Sequence, residues 1–443
     1  MSKAAGVKPS KTEKRAIRSW ALWDWAEQPY PTLMQTFIFP VYLASAVATE
    51  SQNPDQSIGW ALALSGIALA IIAPVLGRRS DHNGRRKFWL MAGTYALAVI
   101  TALSFFVAPS PEFFLFGLVL YGLGSVIQEG TFINYYAMLK GVTTQANIGK
   151  VSGGAWGLGY AGGIVLLLVS LIGFVLPDTP WFGVGTADAM NIRVIFLFAA
   201  VWIVLFSLPM LLFVPEIPKR PGFAKESIAK SYASIWRELK TLRHQAPDTF
   251  KFLISSAVYR DGLAGIFSFG AVLGTLAFGF DQTSIIFFGI AANVVAGIGA
   301  WIGGILDDRI GSRAVILASL IALIVAGSGV FIFAGLGQIT YWIFGLLLTL
   351  FVGPAQASSR TFVARFTPAG REGEVFGLYQ FTGRAVSFLS GTFWSLSIGI
   401  AVALGATGKT AVYGIWGLIA VLIVGTALLL RVNPQPRVVD VID

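Results

Sequence analysis

Apolar stretches of about 20 residues without a charged side chain recur along this sequence. Two of them are IGWALALSGIALAIIAPVLG (58–77) and AVYGIWGLIAVLIVGTALLL (411–430). A helix of about 20 apolar residues can cross the roughly 30 Å hydrocarbon core of a bilayer. Only 12% of the 443 residues are charged, against about 25% in a soluble domain. The sequence therefore predicts a multi-pass membrane protein.

Charged and turn-rich segments divide the chain into twelve predicted membrane helices in two sets of six. The first set lies near 17–47, 57–78, 87–108, 112–138, 151–176 and 191–215. The second set lies near 250–279, 283–304, 313–335, 340–366, 374–402 and 410–431. We therefore predict an all-α membrane protein with two six-helix bundles, at 17–215 and 250–431. The rest of the chain is predicted to form a basic N-terminal tail (1–16), a linker (216–249) and a C-terminal tail (432–443).

The basic residues predict the orientation in the membrane. Of the 32 Lys and Arg residues, 27 lie in the tails, the linker and the loops of one side, whereas only Arg193 and Lys409 lie opposite. An excess of Lys and Arg marks the cytoplasmic side. We expect a cell-membrane protein with both termini in the cytoplasm. The formal charge of +10 follows from this topology and does not indicate nucleic-acid binding.

The first apolar stretch and the linker each carry a pattern that predicts how they meet the membrane. The first apolar stretch is too long for a cleavable signal peptide and carries acids, so we expect it to remain as the first membrane helix. The linker segment ESIAKSYASIWRELKTLRH (226–244) places apolar residues on one helical face and Lys or Arg on the other. This pattern predicts an amphipathic helix on the cytoplasmic membrane surface, with a partner-binding helix as the alternative.

The composition excludes several kinds of site. The chain has no cysteine and only two histidines, which excludes disulfides and argues against a Cys or His metal centre. No G-x4-G-K-[S/T] loop is present to hold nucleotide phosphates. GLGYAG (157–162) fits the dinucleotide pattern but lies inside an apolar helix, so we interpret it as close helix packing. We expect no cofactor, no metal and no catalytic residue.

One loop motif, G-x3-D-x2-G-x-R, occurs twice at an offset of 227 residues. Its residues are Gly77, Asp81, Gly84, Arg85 and Arg86 after helix 2, and Gly304, Asp308, Gly311 and Arg313 after helix 8. A second echo relates GKVSG (149–153) to GEVFG (373–377). Two related six-helix halves are typical of secondary transporters.

The repeated aspartates suggest a gate. Asp81 and Asp308 lie on the predicted cytoplasmic surface, where helices 11 and 5 begin. An aspartate at the positive N-terminus of a helix from the other half is favourable. We therefore expect both to hold the cytoplasmic side shut, which leaves the outward-open state. The alternative is a pair of solvated turns that only aid membrane insertion.

The loop after helix 2 resembles the signature loop of the major facilitator superfamily. Three further segments resemble the vacuole-effluxer branch, which is related to fungal autophagy permeases that export amino acids. They are WALWDWAEQPYPTLMQTFIFPVYL, YRDGL and QASSRTFVARFTPAGREGEVFGLYQFTG. The resemblance implies a monomeric twelve-helix transporter that works by alternating access. This chain has Glu27 and Gln28 where branch members commonly have Asn-Ser. Its helix 4 has Glu129 and lacks the arginine common in proton-coupled drug antiporters.

Ionisable residues inside predicted helices are the candidate site residues, because charge in the hydrocarbon region is costly without a function. The first half contributes only acids, and the second contributes arginines and Asp261. Asp24, Glu27 and Gln28 are spaced to share one helix face, although a wetted pair near the headgroups is the alternative. The full candidate set is Asp24, Glu27, Gln28, Glu129, Asp261, Arg360 and Arg384.

The pattern of charges leads to a substrate hypothesis. Acids of helix 1 would bind the ammonium of a zwitterion, and Arg384, helped by Arg360, would bind its carboxylate, because a guanidinium matches a carboxylate bidentately. Glu129 and Arg360, at equivalent places in the two halves, are expected to form a gate pair or a structural salt bridge. Glu27, Asp24 or Asp261 could carry a coupling proton.

The sequence thus predicts an exporter of amino acids or related small zwitterions. The alternatives are a lipid flippase on the same fold and an integral membrane enzyme.

Overall fold

The computed structural model describes residues 10–216, 240, 243–244, 246–367 and 370–434. Within these residues the chain is helical and contains no strand. Most of the amphipathic helix predicted at 226–244 lies outside the described residues, as do positions 1–9 and 435–443 of the two tails.

Among the described residues, the longest helices fall into two sets of six, counting the two segments of α11 as one helix. Those of the first half are α1 (Lys11–Glu27), α2 (Pro54–Asn83), α3 (Arg86–Leu103), α4 (Phe114–Val142), α5 (Ile148–Ser170) and α6 (Met190–Phe213). Those of the second half are α7 (Pro247–Leu276), α8 (Gln282–Ile310), α9 (Ser312–Ile332), α10 (Leu346–Phe366), α11 (Glu372–Ala385, resuming as Leu389–Ala403) and α12 (Gly414–Leu430). From α2 onward the bounds lie within about six residues of the predicted helices. The prediction for helix 1 (17–47) is wrong at both ends, because α1 starts at Lys11 and ends at Glu27, and short irregular helical segments cover residues 30–47.

Ten helices of the described chain are long and apolar enough to cross a membrane. The other two are α1 and α7, which carry the acids Asp24, Glu27 and Asp261. The prediction of a multi-pass all-α membrane protein is confirmed. The exact boundaries of the two bundles stay a prediction.

Helix ends follow local signals in the sequence. α1 begins earlier than predicted, because Ser10 and Glu13 form a reciprocal capping box. Gly84 ends α2 with φ 59°, and Gly311 ends α8 with φ 88°. Positive φ is accessible to glycine without steric cost. The two motif glycines therefore stop the helices just after Asp81 and Asp308.

Two irregular segments lie beside candidate site residues. α1 is followed by a π-helical segment at Tyr30–Phe37, which begins after Pro29 and contains Pro31, and proline removes backbone donors there. α11 is interrupted between Ala385 and Leu389. Broken helices free backbone groups in the interior of transporters.

The halves meet where α2 crosses α11 and where α5 crosses α8. Small residues allow both approaches. A side chain on Gly77 would overlap the backbone of Gly373, and one on Gly153 would overlap the backbone of α8 near Gly304. The glycines of GLGYAG (157–162) lie against α8 and α1, so the interpretation as close helix packing is confirmed. We call this end of the molecule, where the linker also attaches, the linker end.

We predict that Gly77→Ala separates the halves at the linker end, because the added methyl group would overlap a backbone carbonyl. Overpacking of this kind costs about 1–3 kcal/mol. Spin labels on Arg79→Cys and Arg309→Cys, exposed sites near the ends of α2 and α8, should move apart. The matched control is Gly59→Ala in the same helix, where a methyl group meets nothing within 4 Å. Equal distances in both variants would contradict the prediction.

Candidate functional site

At the linker end, each motif aspartate contacts a helix N-terminus of the other half. Asp81 accepts hydrogen bonds from the backbone N–H groups of Gly373 and Glu374 at 2.9 and 2.8 Å. Asp308 accepts from the N–H groups of Gly149 and Lys150, both at 2.7 Å. These N–H groups have no partner within their own helix, and the helix dipole favours an anion there. The two echoed segments, GKVSG and GEVFG, are thus the partners of the two motif aspartates.

The cations around these aspartates differ between the halves. Arg86 donates to Asp81 at 2.8 Å and crosses to Glu372 at 2.7 Å. Its repeat equivalent, Arg313, donates instead to the carbonyl of Leu430 at 2.9 Å. Arg85 is exposed at the start of α3. The motif repeat therefore correctly predicts the position of the aspartate in both halves. It predicts an arginine that pairs with that aspartate only in the first half.

Arg365 takes the place of a motif cation in the second half. It pairs with Asp307 at 2.6 Å and with Asp308 at 3.0 Å. Sequence reasoning missed Arg365 and Glu372, because both lie outside the repeated motif. The only available signal was their charge at the ends of helices 10 and 11.

Loss of either aspartate should favour opening at the linker end. Asp81→Asn and Asp308→Asn should each raise the ratio of open to closed molecules by up to about thirtyfold, since a partly buried charge–dipole contact is worth up to ~2 kcal/mol. The labels on Arg79→Cys and Arg309→Cys report the two populations. Asp281→Asn is the matched control, because Asp281 caps α8 by accepting from Ser284 within its own half. An unchanged population in both motif variants would reject the gate.

Deeper in the molecule, Arg360 of α10 is inserted among helices of the first half and is only 1% exposed. Its Nε donates to Ser152 Oγ at 2.9 Å, and its Nη2 donates to the Ser152 carbonyl at 2.7 Å. Its Nη1 lies 3.5 Å from Asp24 Oδ2. The guanidinium carbon lies 5.0–5.5 Å from the ring centroids of four aromatic residues. They are Trp20, Tyr135, Tyr136 and Trp156.

The expected pairing of Glu129 with Arg360 is wrong. Glu129 of α4 instead forms an ion pair with Arg384 of α11 and accepts from Gln380 Nε2 at 2.9 Å. Arg260 of α7 donates to Gln380 Oε1 at 2.8 Å. We call Glu129, Arg260, Gln380 and Arg384 the Arg384 cluster. It joins the halves as the Arg360 contact does, but it is more open, with side chains 31% exposed at Arg384 and 22% at Glu129.

The three candidates on α1 face different neighbours, although they share one stripe of the helix. Asp24 faces Arg360 of α10. Glu27 is buried and accepts from Gln128 of α4. Gln28 lies against Gly159 of α5 and accepts from Thr32 at 3.2 Å. The helix face that these residues share therefore contacts three neighbouring helices, α10, α4 and α5.

Glu27 has an unusual electrostatic position. Within the described part of the chain, no Lys or Arg nitrogen lies within 4 Å of its carboxylate. Two other acids, Asp24 and Glu129, act on it as like charges. A buried carboxylate without a cation is costly, so Glu27 is suited to receive a cation or a proton.

Asp261 accepts a hydrogen bond from the backbone N–H of Ser390 at 2.6 Å, where α11 resumes. This is the contact of a helix cap supplied by another helix. The structure thus places Asp261 beside the break in α11 and does not join it to the other candidate acids by any contact in the described residues. A coupling role for Asp261 stays a prediction.

Residues 32–392 match the Major Facilitator Superfamily. The match covers most of the chain, which therefore belongs to this superfamily and is a transporter, not an enzyme. The chain is 27% identical over 435 residues to the uncharacterized MFS-type transporter YxiO of Bacillus subtilis, an alignment that covers 96% of each protein. Autophagy-related protein 22 of Kluyveromyces lactis is 24% identical over 219 residues, 45% of this chain and 44% of that protein. The resemblance to the fungal autophagy permeases is confirmed.

Solved transporters share the fold. The proton:xylose symporter XylE superimposes with a TM-score of 0.66 at 13% identity, covering 95% of this chain and 94% of that one. A bacterial homologue of the iron transporter ferroportin, in its outward-facing state, gives 0.68 at 13% identity, with 95% and 99% covered. In the described residues no group of three His, Cys, Asp or Glu side chains is placed to hold a metal ion.

Proposed function

We propose that this transporter exports amino acids or related small zwitterions across the cell membrane, with both termini in the cytoplasm. The observation that carries the proposal is the Arg384 cluster, in which an acid of the first half pairs with a cation of the second. A zwitterion carries one charge of each sign. It can therefore replace this ion pair and contact both halves at once.

The exchange of partners keeps charges balanced. The substrate carboxylate would bind Arg384 bidentately in place of Glu129, and the substrate ammonium would neutralise the released Glu129. Both side chains are partly exposed, so a ligand can reach them without unfolding a helix. Gln380 accepts a hydrogen bond from Arg260. Its side-chain amide can keep its hydrogen bond to Glu129 or donate to the ligand instead.

Glu27 supplies a second acid for the ammonium or carries a coupling proton. Its buried carboxylate is held by Gln128, the residue next to Glu129 on α4. Proton coupling is supported by the solved neighbours, since XylE is named as a proton:xylose symporter and FucP as a fucose:proton symporter. In this chain the coupling acid and the substrate acid would lie side by side.

The break in α11 also supports a site at Arg384. Arg384 occupies the C-terminal turn of the first α11 segment, where the helix dipole favours a cation. Substrate sites in transporters often lie at such discontinuous helices. The interruption lets α11 bend when the ligand replaces Glu129 as the partner of Arg384.

Ligand analogues test the two ends of the substrate separately, using an amino acid identified by a thermal-shift screen. Arg384→Lys should weaken the amino acid about ten- to a hundredfold and its amide much less, because a charged hydrogen-bonded contact is worth about 1.5–3 kcal/mol. Glu27→Gln should weaken the amino acid more than its N-acetyl analogue. Dissociation constants from isothermal titration calorimetry measure both effects.

Arg193→Lys is the control for the same substitution elsewhere, because Arg193 contacts the ring and the carbonyl of Phe105, away from the cluster. It should bind all the ligands like the parent. If Arg384→Lys also binds them like the parent, the Arg384 cluster is structural and the zwitterion proposal fails. If Glu27→Gln binds them like the parent, Glu27 is not an acid of the substrate site.

A further inference from the structure

We infer that the aromatic residues around Arg360 form a binding site for an organic cation, which Arg360 fills only while the linker end is closed. The inference rests on the proposed function and narrows its substrate class to molecules with a guanidinium or alkylammonium group. We call Trp20, Asp24, Tyr135, Tyr136, Ser152 and Trp156 the Arg360 cage. All six belong to the first half, on α1, α4 and α5.

The chemistry of the cage is that of a cation receptor. Four aromatic rings surround the guanidinium, and aromatic faces attract cations through their quadrupoles. Asp24 supplies a negative charge, and Ser152 supplies two acceptor oxygens. This combination of rings, carboxylate and acceptors recognises a planar or compact organic cation.

The cage is held together by contacts that do not involve Arg360. Trp20 and Tyr135 stack with ring centroids 4.3 Å apart, and each side chain donates to the other's carbonyl at 3.2 Å. Trp23 packs on Tyr135 at 4.3 Å and donates to Thr94 at 3.1 Å. Because these contacts lie within the first half, the cage keeps its shape when the second half moves away.

Arg360 fits the cage incompletely. Asp24 Oδ2 and Arg360 Nη1 are both buried, and within the described residues neither atom has a hydrogen-bond partner. They lie 3.5 Å apart, which is long for a charge-assisted hydrogen bond. A free cation, not tethered to α10, can approach Asp24 more closely than Arg360 does.

Opening of the linker end would withdraw Arg360. It lies five residues before Arg365, which pairs with Asp308 at the linker end, and its partner Ser152 lies three residues after Gly149, which Asp308 contacts. Separation of α10 from α5 there would pull the guanidinium out and leave Asp24 unpaired. A buried charge needs a replacement partner. A substrate cation entering from the linker side would provide it, and return of Arg360 would later expel that cation.

Methylguanidinium is a probe that fills the place of Arg360 and carries no carboxylate. Purified Arg360→Ala should bind it saturably, at least tenfold more tightly than neutral N-methylurea, with a concentration-dependent rise in Tm. Arg193→Ala is the matched control, because Arg193 also lies on an aromatic ring, that of Phe105, and forms no ion pair within the described residues. The control should not distinguish the two probes. Adding Asp24→Asn to Arg360→Ala should abolish the preference.

A second variant keeps Arg360 and tests its withdrawal. In Asp81→Asn/Asp308→Asn, weakened at the linker end, methylguanidinium should bind at least tenfold more tightly than in the parent. If Arg360→Ala folds and shows no preference for methylguanidinium, or if the double variant binds it no better than the parent, the inference is overturned. Neither measurement involves Arg384 or a carboxylate ligand, so failure here is distinguishable from failure of the zwitterion site.

Discussion

The structure depends on one buried contact, the guanidinium of Arg360 enclosed by helices of the opposite half. A buried charge is tolerated only when it is paired and hydrogen-bonded, and the partners of Arg360 in the described residues lie on α1, α4 and α5. The halves therefore cannot separate at this level without giving the arginine new partners. Contacts nearer the linker end also oppose separation of the halves. One of them is the hydrogen bond that Lys140 donates to the carbonyl of Thr367 at 2.6 Å.

Away from the linker end, the charges that join the halves in the described residues form two layers with different exposure. The Arg360 contact is sealed, and the Arg384 cluster is partly open. A conformational change that exchanges partners in both layers needs a ligand with complementary charges. This arrangement links substrate binding to movement of the halves, because a ligand can shift the equilibrium only by its different affinity for the two states.

Much of the fold could be predicted from the sequence, because apolar length and glycine or proline signals act locally. The helices, the ends at Gly84 and Gly311, and the partners of the two motif aspartates follow such signals. Partner choice inside the bundle could not be predicted. Glu129 and Arg360 lie on the corresponding helices α4 and α10 of the two halves, yet each pairs elsewhere, because helix rotation and tilt decide which side chains meet. The rotation and tilt of a helix depend on how all of its neighbouring helices pack against it.

The most direct test of this account is a double-mutant cycle on Asp24 and Arg360. The measured quantity is the fraction of molecules open at the linker end, from spin labels on Arg79→Cys and Arg309→Cys in this cysteine-free chain. Asp24→Asn and Arg360→Met should each raise that fraction. Together they should raise it by less than the sum, with a coupling energy of about 0.5–3 kcal/mol. Additive effects, or an open fraction unchanged by either substitution, would contradict the account.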